Sequence, residues 1–331
     1  LRRILFIRPE KIGDMVVSFP VFDALRQAYP HLKLYLLASP TCYPVVQHDP
    51  RFEKIYVYRK PIGEAWRVIK EVRKEQFDYV VDLICDDSVT ALFLSQLCAP
   101  GSPRIGVGKM KYAPYYDFNY DHRQGNTGHI IDNTLKLLAA FDLDPDKASG
   151  YAPPHLEEAD IERADTFIQG IVGEDKRLIG YNLSAGKSCR WWPADKARAL
   201  IEKVLAADDA YRVLLFSTPA ERSQIRKLAA HFDGRVVMIP DGLTIIGASA
   251  LLRRLDLLIT PDTSLVHIAR SFHVPVVGLY PNFMRNYLLW RPYDQERGAV
   301  VSPTTEIRDI SVEQVYETFC ELAREHLSVG S

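Results

Sequence analysis

The sequence has almost no net charge, few cysteines and no long apolar run, and each shortage excludes a class of protein. Its 331 residues contain 41 Lys and Arg against 42 Asp and Glu, a net charge of -1, so it lacks the strong positive charge of a dedicated nucleic-acid-binding protein. The five cysteines are scattered without a CxxC pair, which indicates reduced thiols. No stretch reaches the roughly 18 apolar residues of a membrane-spanning helix or resembles a secretory signal. We therefore expect a soluble, cytoplasmic protein that binds no nucleic acid.

Metal-binding and dinucleotide-binding motifs are also missing. The nine histidines form no HxxxH or HExxH pair. The turn after the first apolar segment has a single glycine, Gly13, so the GxGxxG fingerprint of a nicotinamide enzyme is absent. Asp82, Asp86 and Asp87 follow a predicted strand, but helix capping and the polarity of a cleft explain these carboxylates more simply than a cation does. The sequence therefore predicts neither a bound metal nor a cofactor.

Short apolar segments alternate with helical patterns along the whole chain. In the first half, buried strands are predicted at 3–8, 33–38, 54–58 and 77–84, and helices at 20–29, 63–75 and 88–98. In the second half, strands are predicted at 178–183, 212–217, 236–239, 256–259 and 274–279, and helices at 193–207, 219–232, 245–254, 263–272 and 312–327. This alternation predicts an α/β fold with doubly wound, Rossmann-like parallel sheets.

A linker divides the chain into two predicted domains. Residues 143–155 are rich in Pro, Gly and Asp, and a chain of this length corresponds to about two domains. We place the domains at 1–150 and 151–331, with packing of the final helix, 312–327, back on the first domain as an open alternative. Ligands of open α/β sheets bind at the carboxyl ends of the strands. Two such domains therefore predict a central cleft and an enzyme with two ligands.

The first turn carries a carboxylate in a position that suits either a helix cap or a general base. Asp14 follows Gly13 at the junction between the first strand and its helix. A carboxylate at a helix start commonly caps the helix. It also suits a general base, which requires a carboxylate on a rigid turn near a hydroxyl group. Asp14 can hold both roles at once.

The segment at 257–270 has the pattern of an anion-binding helix start. An apolar strand leads into a helix that begins near Asp262 or Thr263, where small polar residues leave backbone N–H groups free for a diphosphate. Asp262 would repel a phosphate, so we expect it to face neutral hydroxyl groups or to cap the helix. His267, one turn into the helix, either contacts a phosphate or packs inside the fold.

The turn at 183–193 has a complementary pattern. Its small residues let a ligand approach the backbone, and Lys187 and Arg190 add positive charge that suits a leaving diphosphate. The alternative is a solvated basic loop. The adjacent Trp191 and Trp192 argue against a wholly solvated loop, because at least one of them should pack.

Together these segments resemble glycosyltransferase family 9, the ADP-heptose:lipopolysaccharide heptosyltransferases, over nearly the whole chain. Residues 11–20 are similar to the family's opening Gly-Asp turn, and residues 259–269 with 275–280 are similar to its Asp-Thr-Gly-x-x-His-x-Ala signature. The resemblance implies a GT-B fold with an N-terminal acceptor-binding domain and a C-terminal nucleotide-sugar-binding domain. It also implies an inverting, metal-independent transfer of a sugar, with ADP-heptose as the donor and a lipopolysaccharide core as the acceptor.

The resemblance further implies roles for individual residues. Asp14 falls on the proposed catalytic base, Arg190 lies near a basic residue that contacts the donor phosphates, and Asp262 falls on a residue that holds the donor sugar. The other expected donor-binding residues are Ser184, Gly186, Lys187, Thr263, Ser264, Leu265 and His267. Two departures touch the donor pocket, since the signature glycine is Ser264 here and a common Gly-Gly-Pro turn reads Ser-Thr-Pro at 217–219. These departures leave the identity of the donor nucleotide and of the donor sugar open.

A basic and aromatic segment at 106–116 is the candidate acceptor loop. Its Lys109, Lys111 and Tyr112, together with Lys11 of the first turn, would suit an anionic glycolipid such as a lipopolysaccharide precursor. An ordinary surface loop is the alternative.

The predicted helix at 63–75 is rich in basic residues. These would suit peripheral contact with the cytoplasmic face of the inner membrane. The interspersed Glu64, Glu71 and Glu75 instead favour a solvated helix face.

Three other functions remain open. A relative of the same family could use another nucleotide sugar for O-antigen or another surface glycan. A nucleotide-sugar epimerase shares the two-domain plan but leaves the acceptor loop unexplained. A nucleotide-sugar-binding protein would keep the site at 262–267 without needing Asp14.

Overall fold

The chain forms two compact units, each built around one parallel sheet. The computed structural model describes residues 3–120, 128–173 and 176–327. The units are Leu1–His155 and Leu156–Ser331. Each contains a sheet of six described strands, and every strand pair in both sheets is parallel. The predicted α/β class with two doubly wound sheets is confirmed.

The first unit is assembled from short, largely buried strands. The strands are β1 (Arg3–Arg8), β2 (Lys33–Ala38), β3 (Phe52–Val57), β4 (Tyr79–Asp82), β5 (Arg104–Val107) and β6 (Phe118–Tyr120). The described helices are α1 (Ile12–Val16), α2 (Phe19–Ala28), α3 (Ile62–Val72), α4 (Val89–Cys98) and α5 (Ile130–Leu135). Helices α3 and α4 share one core cluster with β1 and β2. The sequence predicts a loop over 106–116, yet Gly106 and Val107 end β5, a four-residue strand whose short apolar run is interrupted by Gly106.

The second unit repeats this plan. Its strands are β7 (Arg177–Asn182), β8 (Tyr211–Phe216), β9 (Val236–Met238), β10 (Leu257–Pro261), β11 (Val276–Tyr280) and β12 (Ala299–Val301). Its described helices are α6 (Glu158–Ile171), α7 (Ala194–Ala207), α8 (Arg222–Ala229), α9 (Ile245–Leu252), α10 (Ser264–Ser271), α11 (Met284–Trp290) and α12 (Val312–His326).

Both sheets have the same strand order. It is β3-β2-β1-β4-β5-β6 in the first unit and β12-β11-β10-β7-β8-β9 in the second. The winding reverses between β1 and β4 and between β7 and β10, and the carboxyl ends of such strand pairs form the crevice where open α/β sheets bind ligands. At these points Ile7 pairs with Asp82 and Tyr181 with Ile259. The topology therefore marks one candidate crevice in each unit.

The final helix, α12, packs within the second unit. Val315, Phe319 and Leu322 of α12 are buried in the same core cluster as Val277 and Leu279 of β11. The apolar face of α12 thus packs on the core of its own unit. The sequence had left open whether this helix packs on the first domain. At 15 residues α12 is the longest described helix, and none of the described helices has the length and apolar character to cross a membrane.

Candidate active site

Asp14 lies at the crevice of the first unit, directly after β1. It is the third residue of α1, and its Oδ2 accepts a hydrogen bond of 3.1 Å from the backbone N–H of Lys11, the residue that precedes the helix. One of the orphan donors of the helix start is thereby satisfied. About 20% of the Asp14 side chain remains exposed. The carboxylate is therefore both a helix cap and accessible, as the sequence allowed.

The buried side chain of Arg8 stabilises this turn. The Arg8 side chain is 1% exposed, its Nε donates to the backbone carbonyl of Asp14 at 2.9 Å, and its Nη1 donates to the carbonyl of Leu83. Its Nη2 lies 3.9 Å from Oδ1 of Asp14, and Nη1 lies 2.9 Å from Oε2 of Glu10. Burial raises the pKa of Glu10, and Arg8 partly opposes that shift. One cation thus fixes the backbone and faces the carboxylate of the candidate base.

A second buried ion pair lies at the end of β4. Nζ of Lys109 is 2.7 Å from Oδ2 of Asp82, and both side chains are fully buried. The same ammonium donates to the carbonyls of Ile84 and Asp86 at 2.6 and 2.9 Å, while the Tyr116 hydroxyl donates to Asp82 at 2.6 Å. All three N–H groups of Lys109 are therefore used inside the fold. The predicted contact of Lys109 with an acceptor is wrong, because its charge is committed to Asp82.

The other candidate acceptor residues are at the surface. Lys11 and Lys111 are exposed, and Nζ of Lys111 lies 5.4 Å from the ring centroid of Tyr112. Asp87 accepts hydrogen bonds from the backbone N–H groups of Lys111 and Tyr112, at 2.9 and 3.2 Å, and so fixes this loop. The contact of these residues with an acceptor stays a prediction.

In the second unit, an ion pair lies at the end of β10. Nη2 of Arg190 is 2.7 Å from Oδ2 of Asp262, and its Nη1 donates to the carbonyl of Asp262 at 2.8 Å. Nε of Arg190 is buried and has no hydrogen-bond partner among the described residues. Asn286 of α11 donates to Oδ2 of Asp262 at 3.4 Å. Asp262 therefore faces a cation and a neutral amide.

The start of α10 follows immediately. Thr263 precedes the helix, and no side-chain cap is present at this helix start in the described chain. The first two amides of the helix, those of Ser264 and Leu265, have no acceptor within the helix itself. The Thr263 hydroxyl instead contacts Asn182 and Thr260, at 3.3 and 3.2 Å. An uncapped helix start beside an arginine suits an anion.

Polar side chains at the end of β7 complete this crevice. Asn182 is buried and donates to the carbonyl of Ser184 and to the hydroxyl of Thr260, at 3.1 and 3.0 Å. The Ser184 hydroxyl donates to Glu221 and accepts from the backbone N–H of Thr218 at 2.9 Å. The Ser184 hydroxyl thus already has protein partners, and its contact with the donor stays a prediction.

The remaining donor-binding candidates differ in exposure. Gly186 and Lys187 are exposed on the turn after β7, and no carboxylate of the described chain forms an ion pair with Lys187. His267 is buried in α10, and its ring meets Trp290 edge-on with centroids 5.6 Å apart. Of the two interpretations of His267, packing inside the fold is the one observed.

Comparison with known proteins identifies the family. The family model described as Glycosyltransferase family 9 (heptosyltransferase) matches residues 65–319, more than half of the chain. The chain belongs to glycosyltransferase family 9. Lipooligosaccharide heptosyltransferase 2 of Haemophilus ducreyi is 25% identical over 304 residues, which cover 84% of this chain and 83% of that protein.

Two solved structures show the fold of this family 9 enzyme. The glycosyl transferase family 9 structure from Veillonella parvula has a TM-score of 0.79 at 21% identity and covers 98% of both chains. ADP-heptose lps heptosyltransferase II of Escherichia coli has a TM-score of 0.75 at 18% identity, covering 98% of this chain and all of that one. The fold is GT-B.

Sequence reasoning missed several polar residues of this glycosyltransferase. Asn182 could have been found, because it ends a central strand where ligands of α/β sheets bind. Glu221 and Asn286 carry no local signal, since each lies at or in a helix whose position relative to the crevice is set by the fold. Among the described residues, no group of three or more His, Cys, Asp or Glu side chains could hold a metal ion.

Proposed function

We propose that this glycosyltransferase transfers heptose from ADP-heptose to a lipopolysaccharide core acceptor, with inversion and without a metal. The observation that carries the donor half is the uncapped start of α10, beside Arg190 and at the crevice between β7 and β10. Backbone N–H groups and a guanidinium are the donors that a diphosphate requires. The names of the curated relatives, which are lipopolysaccharide and lipooligosaccharide heptosyltransferases, support the sugar and the acceptor.

In the proposed reaction, Asp14 takes the proton of the acceptor hydroxyl as its oxygen attacks the anomeric carbon. The new carbon–oxygen bond forms on the face opposite the diphosphate, and the bond to the diphosphate breaks with its electron pair leaving on ADP. One carboxylate is enough for this single displacement. The Lys11 N–H and Arg8 support the proposal, because the first holds the Asp14 carboxylate and the second holds the Asp14 backbone carbonyl before substrate arrives.

The donor diphosphate gains negative charge as it leaves. We assign its stabilisation to the α10 amides with Arg190 and Lys187. Metal-independent transfer is further supported by the β4 carboxylate, because Lys109 neutralises the charge of Asp82 and Tyr116 donates a hydrogen bond to it. Asp262, facing Arg190 and Asn286, would orient hydroxyl groups of the donor sugar.

A relative that uses another nucleotide sugar is the second candidate. Ser264 replaces the signature glycine at the first residue of α10, and its side chain narrows the approach to the amides. The two candidates are separated by thermal shift with ADP-, UDP- and GDP-sugars, followed by transfer assays with a truncated lipid A–core acceptor. Stabilisation by ADP-heptose and formation of the heptosylated product support the proposal. Stabilisation by UDP- or GDP-sugars alone would contradict it.

A further inference from the structure

Exposed hydrophobic side chains concentrate in one part of the first unit. The described chain exposes nine large hydrophobic side chains, and six of them belong to this unit: Ile62, Trp66, Val89, Phe93, Met110 and Tyr115. Ile62 is 77% exposed and Phe93 is 56% exposed. Single exposed hydrophobic residues are common, but a group of them marks an interaction surface.

These side chains are neighbours in the fold. Ile62 and Trp66 lie four residues apart in α3, and Val89 and Phe93 lie four residues apart in α4, so each pair shares a helix face. Helices α3 and α4 contact each other and cover the same face of the sheet. Both follow strands of this sheet and therefore begin at its carboxyl edge. We call the exposed residues of α3, α4 and the 110–115 loop the docking surface.

The 110–115 loop is held beside the start of α4. Asp87, two residues before α4, accepts a hydrogen bond of 3.0 Å from the backbone N–H of Met110. It also accepts hydrogen bonds from the next two amides of the loop. The backbone of Met110 is thereby fixed beside the segment that leads into α4.

The glutamates of α3 and of the segment after it do not oppose a negatively charged partner as strongly as the sequence suggests. Each glutamate has a basic partner: Glu64 pairs with Arg59 at 3.5 Å, Glu71 with Lys54 at 2.8 Å and Glu75 with Arg3 at 3.5 Å. Their negative charge is therefore largely compensated locally. The argument from sequence for a simply solvated helix face loses its basis.

Basic residues around α3 remain uncompensated. Lys60, Lys70, Arg73 and Lys74 are exposed, and none forms an ion pair with a described residue. Lys70 continues the stripe of Ile62 and Trp66 at the same four-residue spacing. The surface thus combines a tryptophan, aliphatic side chains and free cations, a combination that suits the interface of an anionic bilayer.

We infer that the docking surface binds an anionic lipid bilayer. Aliphatic and aromatic side chains would enter the headgroup region while the lysines contact lipid phosphates. Asp14 follows β1 at the same carboxyl edge of the sheet from which α3 and α4 begin. Docking would therefore bring the candidate base towards acceptors that are anchored in lipid, a consequence that rests on the proposed function, whereas bilayer binding itself does not.

The test is co-sedimentation of the full chain with vesicles of phosphatidylcholine alone and of phosphatidylcholine mixed with phosphatidylglycerol. We expect binding to the mixed vesicles only. Lys60→Gln with Lys70→Gln should weaken it by about fivefold for each lysine, and Trp66→Ser with Phe93→Ser by about tenfold. Equal binding to both vesicles, no binding, or binding unchanged in these variants would overturn the inference.

Matched variants on the second unit serve as controls. Trp191→Ser with Phe283→Ser removes two aromatic side chains of similar exposure, and Lys203→Gln with Lys227→Gln removes two exposed lysines; vesicle binding should persist in both. If size-exclusion chromatography shows that Trp66→Ser with Phe93→Ser dissolves an oligomer instead, a second copy covers the surface and the inference fails.

Transfer to a delipidated core acceptor separates this inference from the proposed function. The docking variants should retain that activity, because none of the substituted residues belongs to the proposed base or to the proposed donor-binding residues. Vesicle binding without any transfer would contradict the proposed function alone. Transfer without vesicle binding would contradict the docking alone.

Discussion

The two units share one topology but use their crevices differently. In the first, the charges beneath the crevice are matched by the protein itself: Lys109 neutralises Asp82, and Arg8 faces Asp14 and Glu10. In the second, Arg190 pairs with Asp262, but the α10 start is uncapped and Nε of Arg190 has no partner among the described residues. The strand order thus decides where a site can form, and the hydrogen-bond donors that the protein leaves without a partner decide what each site can bind. A rigid base is expected from the first, and anion binding from the second.

Asp14→Asn tests the first half of this comparison and should have the largest effect. The amide can still accept from the Lys11 N–H, so the turn should remain folded, but it cannot take a proton. We expect kcat to fall by about a thousandfold. ADP binding, measured by isothermal titration calorimetry, should not change, because we assign the diphosphate to the other unit.

Asp23→Asn is the matched control for that experiment. Asp23 is another carboxylate of the first unit, lies on α2, and pairs with Arg51 at 3.2 Å. Its turnover should stay close to that of the unchanged enzyme. Substantial transfer by Asp14→Asn would remove Asp14 from the role of base and weaken the contrast between the units.

Lys109→Met tests whether the ion pair of the first unit is structural. The substitution leaves the Asp82 carboxylate buried without its cation, which should lower the free energy of unfolding by about 3–5 kcal/mol. Chemical denaturation followed by tryptophan fluorescence measures this loss. Lys54→Met, which removes an exposed pair with Glu71, should cost less than about 1 kcal/mol. Similar losses in the free energy of unfolding for both variants would show that the buried ion pair contributes no more to stability than the exposed one.

Arg190→Ala tests the anion site of the second unit. Loss of a charge-assisted contact should weaken ADP binding by about 10- to 100-fold. The variant also leaves Asp262 without its cation, and the unpaired carboxylate would repel a diphosphate bound at the proposed site. Arg190→Ala combined with Asp262→Asn separates this repulsion from the loss of the attraction between Arg190 and the diphosphate. Partial recovery of affinity in the double variant assigns part of the effect to Asp262. Arg198→Ala, on the exposed face of α7, is the control and should bind ADP like the unchanged enzyme. If Arg190→Ala also binds ADP with the affinity of the unchanged enzyme, Arg190 is not part of the site.

The central strands and the two site turns could be predicted from sequence for a simple physical reason. Parallel strands buried on both faces, such as β1 and β10, are continuous apolar runs, and the polar residues that follow them stand out. Asp14 and the 262–264 turn were found in this way. Strands β5, β6 and β12 have only three or four residues. Strand β4 is equally short, but it was predicted because it lies within the longer, largely apolar segment 77–84.

Residues whose role depends on distant partners could not be assigned from sequence. Lys109 looked like a surface cation in a Gly- and Pro-containing loop, yet the pairing of β4 with β5 brings it to Asp82. Glu221 precedes a polar helix and contacts Ser184 only because β7 and β8 are neighbours. Long-range pairing, which no local pattern encodes, decided both.

Ser264→Gly should have the smallest effect and bears on the part of the second unit that departs from the family signature. Removing the side chain opens the approach to the first-turn amides of α10, so ADP affinity should rise, by less than about tenfold. The same change should lower the free energy of unfolding by about 0.5–1 kcal/mol, because glycine is a poorer helix former. Ser271→Gly at the other end of α10 imposes the same kind of cost without touching the amides. Calorimetry with ADP on both variants therefore separates access to the amides from helix stability. A gain in ADP affinity confined to Ser264→Gly supports diphosphate binding at this helix start. Equal changes in ADP affinity in the two variants would place the diphosphate elsewhere.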